Sequence, residues 1–487
     1  MRRKQMLSAI FSSKLKLVFF TGRNKLSINS SCSLLNIQCH KHPDVRTYAV
    51  HILSNKPIIT TLPEENQTRH SFHTSSKLRG IYIKSDDNTP TVAYSDISYC
   101  KALEIRGGYN PTAYENLVKD RMKDIEKFPK DRLKLPDRRM KDSFAAGTLT
   151  PGKDEMRDSH YVDKLSPYSH MLGLVDIFAS YVSSLHLDIP SFDGQPVPYA
   201  FVALMLDHLR FNANFEPGKP IRLSAHVSKT GRSSVEIDGE IDQLNSIGQY
   251  RTIATCAILT AARMPDMKSP AIVNQIIPGN DAEQSYLDTI KHRSLLREMF
   301  LKDVAGSLVP RVEHVEVLNQ LKSANKSKSV SIESTKNVRV FETKAQNRNT
   351  YYTTFGGFVL ATAEATAFEA ATTFSESDDV WLYHVGHARF LSPIPIGNHL
   401  KCEAVVVAEV RNPHLLHVAV TGESIHPGTN TKEIAVAVHF VYKIDKDLKV
   451  PFILPRDDYE IRLKINGLRF LRFLHEPDLM YPNPYQM

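Results

Sequence analysis

Cysteine is scarce in this chain, and the five present (Cys32, Cys39, Cys100, Cys256 and Cys402) fall at no paired spacing. That argues against a disulfide framework or a zinc cage and fits a reducing compartment. Long apolar runs are missing too. Leu17-Val18-Phe19-Phe20 is far shorter than the about 20 apolar residues that a membrane helix needs, so a soluble protein is expected. No Gly-x-Ser-x-Gly elbow is present, which argues against a serine hydrolase of the α/β type. A dinucleotide or Walker phosphate loop is also absent.

Acidic residues are missing from the first 43 positions, which hold eight Lys or Arg and many Ser, Leu and Phe. Such a composition matches a mitochondrial presequence, expected to act as a basic amphipathic helix, with Arg69-His70-Ser71-Phe72-His73-Thr74-Ser75-Ser76 resembling a cleavage region. Residues 1 to 80 carry 13 basic side chains against three acids, so the formal charge of +8 leaves the rest of the chain slightly negative. Binding along a nucleic-acid backbone is not indicated, and no nucleic-acid partner is expected.

What the chain does have is a repeat. An apolar helical run, Pro167 to Leu187, precedes strand-like runs at Tyr199 to Leu206, Ile221 to Val227, Ser234 to Gln243 and Tyr250 to Ala262. Thr230-Gly231-Arg232-Ser233 reads as a hairpin turn. The order recurs: a second apolar helix over Phe355 to Phe374, then runs at Val380 to Val385, Leu400 to Val410, Leu415 to Glu423 and Glu433 to Ile444. Arg210-Phe211 and Arg389-Phe390 lie 179 residues apart, as do the strands that follow them. No helices fall between the strands, so a parallel sheet is excluded. The expected architecture is α+β, with antiparallel meanders wrapped on long helices and the two copies sharing one sheet. Boundaries follow as 1–77 for presequence and tail, 78–150 for an N-terminal extension, and 151–290 for the first repeat. A charged linker takes 291–334, the second repeat 335–455 and a C-terminal extension 456–487.

Two acids interrupt the apolar helices, Asp176 and Glu364. A carboxylate in an apolar stretch is costly to desolvate and, held near a cleft, can serve as base or nucleophile, although the pattern alone favours an exposed helix stripe of Asp176, Ser180 and Ser183. Gly356-Gly357 opens the second helix; N–H groups there can polarise a carbonyl, and such a pair can also be an ordinary turn. His384 and His387, three apart in a strand, should face opposite ways, and with His414, His417 and His426 unpartnered no metal is expected.

Asn349, Phe355-Gly356-Gly357 and Glu364 together resemble the motif of hotdog thioesterases. From about Met156 to Pro455 the chain is similar to the mitochondrial acyl-coenzyme A thioesterase 9-type family, also through Ser269 to Pro278. The resemblance implies two tandem hotdog domains forming a pseudo-dimer, hydrolysis of acyl-coenzyme A in the mitochondrial matrix, and no cofactor beyond the coenzyme A of the substrate. It implies a homo-oligomer, with a trimer of double hotdogs among the options. It also implies a composite site in which Asn349 faces Asp176 across the interface: Asp176 activates water or attacks, Asn349 orients, and Gly356 and Gly357 polarise the carbonyl. The reciprocal site looks weakened, with Tyr161 where the first repeat would need its Asn, and Tyr352 departs from the pattern in the loop. Lys229 and Arg232, with Ser233 and Ser234, are the candidates for the coenzyme A phosphates, Arg389 and Arg210 are weaker ones, and solvated turn charges explain each as well. Two other readings stay open: a hotdog that binds acyl-coenzyme A or serves as a structural subunit without turnover, and a hydratase using His170.

Overall fold

The computed structural model describes residues 16–21, 24–29, 119–120, 122–149, 166–192, 197–216, 218–306, 315, 317–319, 322, 329–349, 353–411, 414–444 and 450–475. Two compact units contain them, Met1–Lys56 and Pro57–Met487. In the first, β1 (Lys16–Thr21) and β2 (Asn24–Asn29) pair antiparallel, with Lys16 opposite Asn29. A helix is expected there from the basic composition, but Val18, Phe19, Phe20 and Thr21 are aromatic or β-branched and favour the hairpin.

The second unit is organised by one ten-stranded antiparallel sheet in the order β3-β5-β6-β7-β4-β10-β13-β12-β11-β9. The first half holds β3 (Ala145–Leu149), β4 (Ala200–Phe211), β5 (Ile221–Thr230), β6 (Ser234–Leu244) and β7 (Tyr250–Arg263). The second half holds β9 (Asn337–Glu342), β10 (Val380–Phe390), β11 (His399–Arg411), β12 (His414–Ile425) and β13 (Lys432–Ile444). Each half is the other reversed, and they join where β4 runs antiparallel to β10, Arg210 opposite His384. This is the tandem hotdog arrangement that the repeat predicts. A minor parallel pair, β8 (Ser329–Val330) with β14 (Phe452–Ile453), lies apart from it.

Two helices line one face and touch each other: α1 (Pro167–Leu185) and α3 (Gly356–Ser375). Ser166 caps α1 by accepting from the Tyr168 N–H, and Pro167 takes the first helical position, where its missing N–H costs nothing. In α3 nearly every residue is buried, as suits a helix apolar on all sides. Its core partners include Leu400, Ala404, Val406, Val418 and Val420 of the sheet.

The opposite face is covered as well, and here the expected boundaries need correction. Residues 291–306, read as linker, belong to a long helix, α2 (Asp281–Gly306), and the C-terminal extension forms α4 (Asp458–His475). Leu296 and Phe300 of α2 pack with Leu468, Phe470 and Phe473 of α4 against Val410, Leu415 and Val441 of the sheet. The N-terminal extension likewise supplies an edge strand, since β3 pairs with β5 from Ala145 opposite Ala225 to Leu149 opposite Ile221.

Phe470 is ringed by four histidines, the buried His384, His387 and His417 and the partly buried His439, with ring centroids 5.9, 5.4, 4.8 and 5.0 Å away. Burial holds His387 down at about 4 and His417 at about 3, and drives His384 and His439 well below 6.5. The folded rings are neutral, whereas the unfolded chain takes up their protons below pH 6.5. Their contribution is therefore present above pH 6.5 and lost as pH falls, by about 2 kcal/mol for His387 alone at pH 5. Urea unfolding of α4 should shift to markedly lower denaturant between pH 7.5 and pH 5. A midpoint that stays flat over this range would show these rings to be hydrated.

Candidate active site

The two helix acids occupy reciprocal places. Asp176, midway along α1, is buried, and its Oδ2 accepts a 2.7 Å hydrogen bond from the Gly357 N–H at the start of α3. Glu364, midway along α3, is buried against the start of α1. It accepts from Ser169 Oγ at 2.6 Å, Ser166 Oγ at 2.9 Å and the Tyr442 hydroxyl at 3.2 Å. One 188-residue offset relates Asp176 to Glu364, Ser169 to Gly357 and Tyr168 to Gly356. Each repeat thus sends a carboxylate to the other's helix N-terminus, where the dipole favours negative charge.

The two ends differ in what surrounds the acid. Beside Asp176 the backbones touch: a Cβ on Gly357 would stand 2.7 Å from the Gly173 Cα and 2.5 Å from the Phe355 ring, and one on Gly356 would stand 2.9 Å from Asp176 Oδ2. Only glycine allows this approach. Beside Glu364 the place of Gly356 is filled by Tyr168, whose hydroxyl donates to Asn214 Oδ1 at 2.5 Å. Gly357→Ala should therefore push α1 from α3, lowering the melting temperature by several degrees, since overpacking costs about 1–3 kcal/mol. An unchanged melting curve would contradict the closeness of the helices.

Burial pushes the Asp176 carboxyl up and the Gly357 N–H only partly offsets it, leaving it at about 7. Glu364 also sits at about 7, raised by burial and restrained by Ser169, Ser166 and Tyr442. A carboxylate poised near neutrality suits proton abstraction, and the first turn of α3 beside Asp176 offers N–H groups without intrahelical partners.

No family model matches the chain. Curated relatives do: mouse acyl-coenzyme A thioesterase 9, mitochondrial, is 25% identical over 366 residues, spanning 72% of this chain and 82% of that protein. The human protein of the same name is 24% identical over 373 residues, spanning 70% and 80%. The chain is similar to the acyl-coenzyme A thioesterase 9-type family over more than two thirds of its length. Among solved structures, a putative oleoyl thioesterase from Lactobacillus plantarum covers 62% of this chain and 97% of its own, with 8% identity and a TM-score of 0.37.

Of the residues that the family resemblance singles out, Asp176, Gly356 and Gly357 come together, but Asn349 does not pair with Asp176. Its Nδ2 donates to Thr353 Oγ1 at 2.8 Å and its Oδ1 accepts from the Thr353 N–H at 3.1 Å, closing a loop that leads into Phe355. An Asn side chain serves its own backbone readily in such a turn. Tyr161 and Tyr352 lie outside the described residues, as does the side chain of His170.

Lys229, Arg232 and Ser233 form the β5–β6 turn, as predicted, with Arg232 exposed. The turn is tied to the extension, Arg132 donating to Thr230 Oγ1 at 2.7 Å and to the Val273 carbonyl at 3.2 Å. It stands beyond Ser183, which meets Thr260, and so more than about 10 Å along α1 from Asp176. Arg389 is exposed on β10, next to Phe390, whose ring lies 3.3 Å from where a Gly356 Cβ would be. Arg210 turns to the other face and meets Tyr383.

His384 and His387 do not face opposite ways. β-bulges interrupt β10, His387 takes a left-handed backbone with φ of 48°, and both rings meet Phe470. His417 is also partnered, its Nε2 lying 3.0 Å from His439 Nδ1. Among the described residues no group of His, Cys, Asp and Glu is arranged to hold a metal ion. The sequence reading missed Ser166, Ser169 and Tyr442; Ser166-Pro167 was visible as a helix start, but its cross-repeat partner was not.

A cavity of about 280 Å³, part of it open to solvent, runs between α1 and the sheet, walled by Val175, Phe178 and Ala179 on the helix and by Ala225, Ile237, Glu240 and Cys256 on the strands. Val175 and Ala179 flank Asp176 in sequence, so the cavity adjoins the carboxylate's stretch of α1.

Proposed function

We propose that this chain hydrolyses acyl-coenzyme A thioesters to the free acid and coenzyme A, with Asp176 as the base. The observation that carries this reading is the buried Asp176 carboxylate held 2.7 Å from the Gly357 N–H where the two repeats meet. Asp176 takes a proton from water, the hydroxyl adds to the thioester carbonyl, and collapse expels the coenzyme A thiolate, which takes up a proton. Gly357 holds the carboxylate in place, so half-exposed Gly356, at the opening of the helix, is the better placed donor to the carbonyl oxygen. Asn349 acts as a positioning residue through the loop that presents Gly356. The acyl chain enters the cavity beside α1, and the exposed cations Arg232 and Arg389, with Lys229 and Ser233, offer contacts for the phosphates.

The names of the curated relatives support the same substrate and a mitochondrial location. The matrix is the compartment proposed here, in keeping with the basic amino-terminal region and the free thiols of Cys256 and Cys402. A homo-oligomer is proposed from the family resemblance, and light scattering of the purified chain would read its mass.

The test is release of free thiol from acyl-coenzyme A substrates of graded acyl length. Turnover with a length optimum supports the reading. Saturable binding without turnover for any length would overturn it in favour of an acyl-coenzyme A-binding module.

A further inference from the structure

A second polar cavity lies on the sheet face away from Asp176, at the seam where β4 meets β10. It encloses about 600 Å³, part of it open to solvent, and its lining includes Arg210 and His208 of β4, Tyr383 and His384 of β10, Leu296 of α2 and Phe473 of α4. The other two guanidinium groups at this cavity are neutralised by carboxylates: Arg293 by Glu236 and Asp238, and Arg297 by Asp207. Arg210 is different. Among the described residues no carboxylate lies within ion-pair distance of it; it donates only to the Tyr383 hydroxyl at 2.9 Å and lies over that ring at 5.5 Å. Its Nε, the Nε2 of His384 directly opposite in register and the Nδ1 of His387 are buried with no hydrogen-bond partner.

A buried guanidinium N–H without an acceptor is costly, and one guanidinium without a carboxylate beside aromatic and aliphatic walls defines what would relieve it. The His208 and His384 rings line the cavity nearly parallel, 10° apart at 6.5 Å, and give it flat walls. We propose that this cavity binds a small organic monoanion, a carboxylate on a flat or apolar body, clamped by Arg210 and bridging the two repeats. Among the described residues, Arg210 is the one guanidinium of this lining that meets no carboxylate, which favours a carboxylate over a doubly charged phosphate, and its fork matches carboxylate geometry.

The probe is 4-bromobenzoate, titrated calorimetrically into the full chain and soaked into its crystals so that bromine scattering locates it. Expected are a bromine peak between Arg210 and Phe473, and affinity at least about ten-fold weaker in Arg210→Gln, as for loss of a charge-assisted pair. Tyr383→Phe, which frees Arg210 without removing its charge, keeps binding and covers the case in which Arg210→Gln fails to fold. Bromine found only beside Asp176, or equal affinity in Arg210→Gln, overturns the proposal. So does phenyl phosphate binding more tightly than 4-bromobenzoate, since that would require a second free cation.

Discussion

Replacing Asp176 by Asn should lower thioester turnover about 10²–10⁴-fold, the usual contribution of a general base, while the chain stays folded. The amide is nearly isosteric and keeps an oxygen to accept from the Gly357 N–H, so the contact between α1 and α3 survives. What it loses is proton affinity. With Asp176 at about 7, the wild-type rate should rise roughly ten-fold per pH unit below neutrality and level off above it. The Asn variant should lose that slope along with its rate. Glu364→Gln provides the contrast: its carboxylate already accepts from Ser166, Ser169 and Tyr442, and Tyr168 fills the place that Gly356 leaves open at the other end. Its turnover should fall less than about ten-fold, because it has no access to water at an open helix terminus. Thiol-release kinetics from pH 5.5 to 8.5 on both variants decide the matter. A larger loss in Glu364→Gln than in Asp176→Asn would move the chemistry to the other helix junction.

The duplication was legible because its strands alternate and its central helices are apolar throughout, so period alone set each apart from turns. Both acids stood out for the same reason, each a charge in an apolar helix. The partners of those acids were not legible. Gly357 and Ser169 reach them across a contact between helices 188 residues apart, and no local pattern records such a meeting. Asn349 shows the converse error: a motif member assigned across the interface by resemblance turns out to serve its own loop through Thr353. The histidines failed through strict period-two reasoning, since one bulged residue in β10 puts His384 and His387 on the same side. β3 failed because Ala-Ala-Gly-Thr-Leu is too short and plain to announce a strand, and pairing with β5 makes it one.

Helix α2 escaped notice because it buries charge, Arg293 and Arg297, among its apolar side chains. Arg293 donates to Asp238 at 2.9 and 2.6 Å and to Glu236 at 2.7 Å, all three side chains being buried. Asp238 also accepts from the Tyr286 hydroxyl at 2.6 Å and from Ser228 Oγ at 3.1 Å. Burial alone would push the Asp238 carboxyl up, but the Arg293 charge and these hydrogen bonds bring it down to about 2. Removing the cation leaves Glu236 and Asp238 desolvated, with less to offset it. Arg293→Met, which keeps volume, should therefore cost about 3–5 kcal/mol, as breaking a buried pair from one side does. The loss should appear as early melting and as fast hydrogen exchange across Asp281–Gly306, while α1 and α3 remain protected. Adding Asp238→Asn to Arg293→Met should restore part of the stability, because the stranded charge goes with it. A loss below about 1 kcal/mol in Arg293→Met would mean that water reaches these carboxylates, and that the apolar side chains, Leu287, Ile290, Leu296 and Phe300 among them, dock the helix.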